Sequence, residues 1–378
     1  MAVAPEVIAR PGWLESRWMR LNGPSRIAGV DLARGLAILG MLAAHLLWIR
    51  EPLTLTDPFS WIAIVEGRSS ILFATLAGIS IALVTGARVP LVGEARQRAQ
   101  LRLGTRAFAL WLLGLALIFT GVPVYVILPA YALLFLLATM LVPLRARSLL
   151  FVALVLAAVM PFVQVVLDAL PIWTTPIGND LSLAIGWHYP FTTWIAFVAA
   201  GMAVARAGIT RLKVQGWMLV VGAALAVVAA ALDAISGVSG LPTSFWQALW
   251  TGEAHSTGLL EVWGSGGFAM FVIALCLLAC RTVLTWVVLP LRALGAMPLT
   301  AYTVQIVAWA IAATVLLGSP GDLAAFRALE PFVPLTLATI AGCTAWALLV
   351  GRGPLEWALD RLAKLAVPST PNDAARSR

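Results

Sequence analysis

Charge is the scarcest property of this chain: Asp, Glu, Lys and Arg make up 11% of its 378 residues, against 61% hydrophobic residues. An ordinary soluble domain carries about 25% charged residues, so that class is excluded and a polytopic membrane protein remains. Cysteine is nearly missing too. Cys276, Cys280 and Cys343 all fall in apolar runs, which argues for packing and against a disulfide framework. Histidine is limited to His45, His188 and His255. There is no nucleotide-binding glycine loop, zinc motif or serine nucleophile elbow, and no metal is expected. No apolar core precedes the first long apolar run, so a cleavable signal peptide is not expected.

What the chain does have is a series of apolar runs of about 20 residues, the length that crosses roughly 30 Å of hydrocarbon. Ten fall at 30–48, 60–86, 107–121, 125–144, 149–167, 190–205, 217–235, 264–280, 297–317 and 331–350. The run at 282–291 is short and contains Pro290, so it reads as an interfacial or re-entrant helix, with an eleventh span as the alternative. The expected fold is all-α: a polytopic transmembrane helical bundle of about 10–11 spans with both termini cytoplasmic. Residues 1–25 read as a cytoplasmic segment, 26–365 as one transmembrane domain and 366–378 as a disordered cytoplasmic tail.

The net charge of +8 and pI near 10.2 would suggest a nucleic-acid partner in a soluble protein. Topology accounts for it better, and no nucleic acid is expected. With the N-terminus inside, every Lys and Arg except Arg50, Arg68 and Arg327 falls on the cytoplasmic side. Such a surface suits an anionic cytosolic ligand and contact with anionic lipid of the bilayer. The same topology sends all three histidines to the outer half.

Three ionisable residues, Asp31, Arg34 and His45, interrupt the first run. A charge near the centre of a spanning helix costs roughly 2.5 to 3.5 kcal/mol, so such residues usually line a polar path or site. Eleven residues bring His45 back to within about 20° of the direction of Arg34, about 16 Å along the axis. Asp31 and Arg34 are one turn apart and can form a local ion pair. Alternatively Arg34 clamps a phosphate or carbonyl at a cytoplasmic entrance, helped by Arg102 and Arg106, because a guanidinium binds phosphate bidentately and keeps its proton. The second run begins Glu66-Gly67-Arg68-Ser69-Ser70. Antiparallel neighbours joined by a short loop bring Glu66 and Arg68 toward His45. His45 then serves as general base, Glu66 orients it and Arg68 stabilises oxyanion charge. The alternative is a Glu66–Arg68 ion pair at the interface, with His45 bonded to a neighbouring helix. Ala74, Gly78 and Ser80 form a small-residue stripe suited to close helix packing.

The opening Val30-Asp31-Leu32-Ala33-Arg34-Gly35-Leu36-Ala37, followed by His45, resembles the transmembrane acyltransferase superfamily. The Arg, ten residues, His spacing is similar to its acyltransferase-three branch, and Val-Asp-x-x-Arg-Gly to the heparan-α-glucosaminide N-acetyltransferase-like branch and its YeiB-like bacterial relatives. Gly67-Arg68-Ser69-Ser70-Ile71-Leu72-Phe73, Tyr189-Pro190 with Gly201-Met202, Leu299-Thr300-Ala301-Tyr302 and Arg352-Gly353-Pro354-Leu355-Glu356-Trp357 resemble the YeiB-like group, so the likeness runs from about Arg26 to Leu359. One departure stands out: heparan-type members tend to carry Asn at the His45 position and a catalytic His in the following outer loop, where this chain has none. The resemblance implies a multi-pass protein of the plasma (inner) membrane that takes an acyl group, acetyl above all, from cytosolic acyl-CoA. The group goes to a hydroxyl or amine of an extracytoplasmic glycan or lipid-linked sugar. Acetyl-CoA is the donor substrate rather than a tightly bound cofactor, with Asp31, Arg34, Arg102 and Arg106 on the donor side and His45, Glu66 and Arg68 as the catalytic set. A transporter or flippase without covalent chemistry is the alternative, although the second half has no clear counterpart of the 34–45 segment. A homodimer stays open.

Overall fold

The structure, a computed structural model, describes residues 12–23, 26–51, 53, 57–238 and 242–368. Parts of the expected N-terminal segment (1–11 and 24–25) and most of the expected tail (369–378) lie outside the described residues.

Every regular element among the described residues is helical. A short helix α1 (Trp13–Asn22) precedes α2 (Ala28–Leu46), and a 3₁₀ stretch Pro58–Val65 leads into α3 (Arg68–Val84). The chain continues through α4 (Gly93–Ile118), α5 (Leu128–Leu141), α6 (Ala146–Asp168), a one-turn 3₁₀ helix at Pro171–Thr174, α7 (Pro176–Ile185), α8 (Phe191–Gly208) and α9 (Leu212–Ser236). After α10 (Phe245–Leu249) come α11 (Leu259–Ala279), α12 (Leu284–Val287), α13 (Leu289–Ala296), α14 (Pro298–Leu317), α15 (Leu323–Ala328), α16 (Phe332–Leu349) and α17 (Pro354–Ala366).

Nine of these segments are long and apolar enough to cross a bilayer, counting Pro58–Val84 as one. The tenth expected run, 125–144, forms the 14-residue α5, about 21 Å long. Its start is set by Pro129 at the head of the helix, and the connection before it turns inward, burying Val122, Val126 and Ile127. The run at 282–291 contributes to the short α12 and α13. The second expected span is broken at Glu66 and Gly67. Gly67 has φ 63°, and a Cβ there would stand 3.1 Å from Glu261 Oε1. The break therefore places Glu66 and Arg68 at an irregular step in the backbone rather than along a continuous helix.

The central helices α2, α3 and α8 are mostly covered by protein, whereas α6, α9 and α16 expose most of their apolar surface, as lipid-facing spans do. Without a hydrophobic force between helices in lipid, close backbone approach holds such a centre together. Gly78 of α3 lies against the Val198 carbonyl of α8, and Gly201 of α8 against the Thr75 carbonyl of α3. Gly35 of α2 meets the Leu291 carbonyl and Gly295 of α13 meets the Asp31 carbonyl. A methyl group at any of these four would collide with backbone. Cys276, Cys280 and Cys343 are free thiols.

Candidate functional site

Polar groups gather at the two ends of α2. At its N-terminal end the buried Asp31 accepts from Arg34 Nη1 at 2.9 Å, and Arg26 Nε stands 3.2 Å from its other oxygen. Arg34 Nη2 also donates to Ser80 Oγ of α3 at 2.7 Å, so Ser80 does more than permit close packing. The ion pair read from the sequence is therefore formed. Arg34 nevertheless keeps one edge on a cavity of about 290 Å³. Arg106 of α4, Arg352 and Glu356 stand with it around that cavity, which continues between helices past Phe73, Tyr131 and Tyr302.

The rim is braced from outside. Asp360 of α17 accepts from Arg106 Nη2 at 2.9 Å and Arg352 Nη1 at 3.0 Å, with Lys364 Nζ at 2.7 Å. Burial alone would raise the Asp360 carboxyl, but the Lys364 hydrogen bond and the Arg352 charge outweigh it and hold it below the ordinary range. Glu356 accepts from the Leu299 and Thr300 amides at 2.7 and 3.1 Å and from Thr300 Oγ1 at 2.6 Å, which caps the start of α14. Arg102 donates to the Val367 carbonyl at 3.1 Å and does not line the cavity. Deeper in, Tyr131 donates to the Ser70 carbonyl at 3.0 Å, while Tyr302 accepts from the Ile127 amide at 3.2 Å and so keeps its own proton to donate.

The C-terminal end of α2 is built differently. His45 is half-buried, and its ring has no hydrogen-bond partner among the described residues. What is held is its backbone: Arg327 Nε donates to the His45 carbonyl at 2.9 Å and Nη2 to the Ala44 carbonyl at 3.4 Å. A cation on the last carbonyls of a helix satisfies groups the helix leaves open and complements its dipole. The same guanidinium lies 5.4 Å from the centre of the Trp48 ring. Glu66 lies within the field of Arg327 and Arg68, and Arg68 within that of Glu261, Asp233 and Glu66. Among the described residues Glu66 and Arg68 close no ion pair with each other, so the pairing that would have consumed both is not formed.

A second histidine arrives from a distant loop. Residues 251–258 wrap the buried Glu261 carboxylate, which accepts from the His255 amide at 2.7 Å, the Thr257 amide at 2.6 Å and Ser256 Oγ at 3.3 Å. The wrapping sets His255 at φ 65° and Thr257 at φ 53°, a left-handed conformation that costs of order 1 kcal/mol or more for residues with a Cβ. His255 thereby stands within electrostatic reach of His45 and His188, edge-on to Tyr189 at 5.9 Å between ring centres. Although part of each ring is exposed, the protein packed around the His255 and His188 imidazoles pushes both down, and the proximity of His255 adds to the shift of His188. Tyr189 donates to the Tyr125 carbonyl at 3.1 Å and Tyr125 stacks on His188, so aromatic groups continue toward the Tyr302 level.

Asp31, Arg34 and Arg106 thus stand together at one end, and His45, Glu66 and Arg68 at the other, where His45 and Glu66 share Arg327. Whether His255 or His188 joins them was left open by the sequence, and Arg327, Glu261, Arg352, Tyr131 and Tyr302 carried no assigned role there. Arg327 had a signal, as one of three cations on the sparse side of the charge pattern. Glu261 had none of that kind, because it lies before the expected run at 264–280, among the loop residues. No group of three or more His, Cys, Asp or Glu among the described residues is arranged to hold a metal.

A family model described as heparan-alpha-glucosaminide N-acetyltransferase, catalytic, matches residues 26–238. A second, described as a protein of unknown function (DUF418), matches residues 204–366. No curated protein matches the chain.

Proposed function

Because this multi-pass membrane protein belongs to the heparan-alpha-glucosaminide N-acetyltransferase catalytic family, a family of membrane acetyltransferases, we propose that it carries an acetyl group across the bilayer. The donor is cytosolic acetyl-CoA and the acceptor an amine or hydroxyl of an extracytoplasmic glycan or lipid-linked sugar. The membrane is the plasma (inner) membrane, with the basic loops and both termini in the cytosol.

One observation carries this reading: a cavity ringed by Arg34, Arg106 and Arg352 lies beside the helix that bears an unpartnered imidazole at its far end. Guanidinium groups on the rim suit the CoA phosphates, which they bind bidentately while staying charged. The apolar and tyrosine-lined continuation suits the uncharged pantetheine arm, with Tyr302 donating to a carbonyl of it. Asp31 holds Arg34 in place, and Arg102 steadies the 366–368 end of α17 from which the rim is braced. At the outer end His45 accepts the acceptor's N–H or O–H proton as the nucleophile adds to the thioester carbonyl. Arg68 offsets the oxyanion charge. The C–S bond then breaks and the thiolate takes the proton from the imidazolium, releasing CoA as the thiol. Glu66 and Arg327 orient the imidazole, the latter through the His45 carbonyl.

Proteoliposomes with a glucosamine-type acceptor trapped inside and labelled acetyl-CoA added at the basic face test this directly. The expected result is labelled acceptor in the lumen for the wild type and none for His45→Ala. Transfer by His45→Ala at the wild-type rate, or no transfer to any trapped amine or hydroxyl, would overturn it.

A further inference from the structure

A larger cavity, of about 470 Å³, lies away from the charged one and is lined almost wholly by apolar groups. Its walls are α6, through Leu150, Leu154 and Ala157, and α9, through Val214, Trp217 and Val221; Ala200 of α8 and Gly266 of α11 help form its floor. α6 packs on α8 and α9 packs on α11, rather than α6 and α9 on each other, which leaves the gap between the two most lipid-facing walls. The lining of α9 runs from Val214 to Leu225, about 16 Å along the axis, enough for most of one fatty-acyl chain and too short to cross the bilayer. A groove open sideways to hydrocarbon fills with hydrocarbon.

Its polar end is what selects the occupant. Arg147 stands three residues before Leu150 and seven before Leu154, so it continues the groove-facing stripe of α6. Arg211, the residue capping α9, stands three before Val214 and seven before Met218, and Lys213 four before Trp217. All three cations are exposed and close no ion pair among the described residues. The turn that presents Arg211 and Lys213 is fixed: Arg281 donates to Gln215 Oε1 at 2.9 Å and to the Thr210 carbonyl. The exposed Trp217 sits between cations and groove, at the depth where an indole bridges headgroup and chain.

We propose that this groove holds an anionic glycerophospholipid of the adjoining leaflet, one acyl chain between α6 and α9 and its phosphate against Arg147, Arg211 and Lys213. The site is separate from the cavity at Arg34, and its occupancy does not depend on the acetyl-transfer reading.

Native mass spectrometry of the delipidated full chain, titrated with dioleoyl phosphatidylglycerol or dioleoyl phosphatidylcholine, tests the proposal. The wild type binds one phosphatidylglycerol at least tenfold more tightly than phosphatidylcholine, and raised salt narrows the difference. Replacing Arg147, Arg211 and Lys213 together by Gln removes most of that preference, about fivefold for each cation that touches the phosphate. Ala200→Phe, which fills the groove floor, weakens both lipids. Equal affinity of the wild type for the two lipids, or a preference that survives the triple Gln variant, would overturn the proposal. So would a bound lipid indifferent to Ala200→Phe.

Discussion

The two ends of α2 handle buried polarity in opposite ways. At the N-terminal end each charge is answered: Asp31 by Arg26 and Arg34, Arg34 by Ser80 as well, Arg106 and Arg352 by Asp360. At the C-terminal end the backbone is held and the His45 side chain is left open. Arg327 fixes the His45 carbonyl, Glu261 fixes the His255 amide, and the His45 ring is left without a partner. A polar group half-buried in a membrane helix without a partner costs free energy, of order 1 to 3 kcal/mol for a lost hydrogen bond. The difference is that one end fixes its charges in pairs and the other leaves an imidazole open, which is the separation of binding from reaction that the proposed function calls for.

The strongest way to break that contrast is at His45. His45→Ala lowers acetyl transfer by about 10² to 10⁴-fold, the usual contribution of a general base, while acetyl-CoA affinity stays as in the wild type. Loss of donor affinity in this variant would erase the distinction between the ends. Arg34→Ala should do the reverse, weakening donor binding by roughly 10 to 100-fold through loss of a charge-assisted contact. Its effect on turnover at saturating donor is small, which a split of KM against kcat reads out.

A smaller effect is expected at Arg327. Arg327→Ala leaves the last carbonyls of α2 without a cation and lets His45 drift, lowering kcat by about tenfold; Arg327→Lys keeps the charge near the helix end and recovers part of it. A variant with unchanged kcat and an unchanged pH profile would remove Arg327 from the site.

The outer loop also sharpens the contrast through pH. Partial desolvation by the surrounding loop holds the folded His255 pKa below the ordinary value near 6.5. The unfolded loop then binds more protons between the two values, so the contribution of His255 to stability is complete above about pH 6.5 and is lost as pH falls through the folded pKa. Hydrogen-exchange protection of residues 251–258, corrected for the intrinsic pH dependence of amide exchange, should therefore be flat from pH 8 to about 6.5 and fall below it, a step that His255→Gln removes. Asp360, beside the N-terminal end of α2, has a lowered pKa, so its hold on Arg106 and Arg352 is unaffected over that range and weakens only below about pH 4.

Much of this architecture was legible in the sequence. Run length located nine of the spans, and the helical repeat put Arg34 and His45 on one face of α2. The short α5 was not legible, because an apolar run does not say where the preceding connection turns inward; the burial of Val122, Val126 and Ile127 is a tertiary choice. Nor was the break at Gly67, where the apolar residues on both sides read as one span although the backbone is 3₁₀ before it and α after it. Ser80 looked like a packing residue because its size fits that role, and its hydroxyl finds Arg34 only once α2 and α3 are side by side. The arrival of His255 depends on Glu261 gathering two amides and a hydroxyl, a contact pattern that no spacing along the chain encodes.

Isothermal calorimetry of acetyl-CoA with the purified protein and with Arg34→Ala and His45→Ala tests the division of labour most directly. The account predicts saturable binding to the wild type, the same binding to His45→Ala and clearly weaker binding to Arg34→Ala. No saturable binding to the wild type, or equal binding to all three proteins, would contradict it.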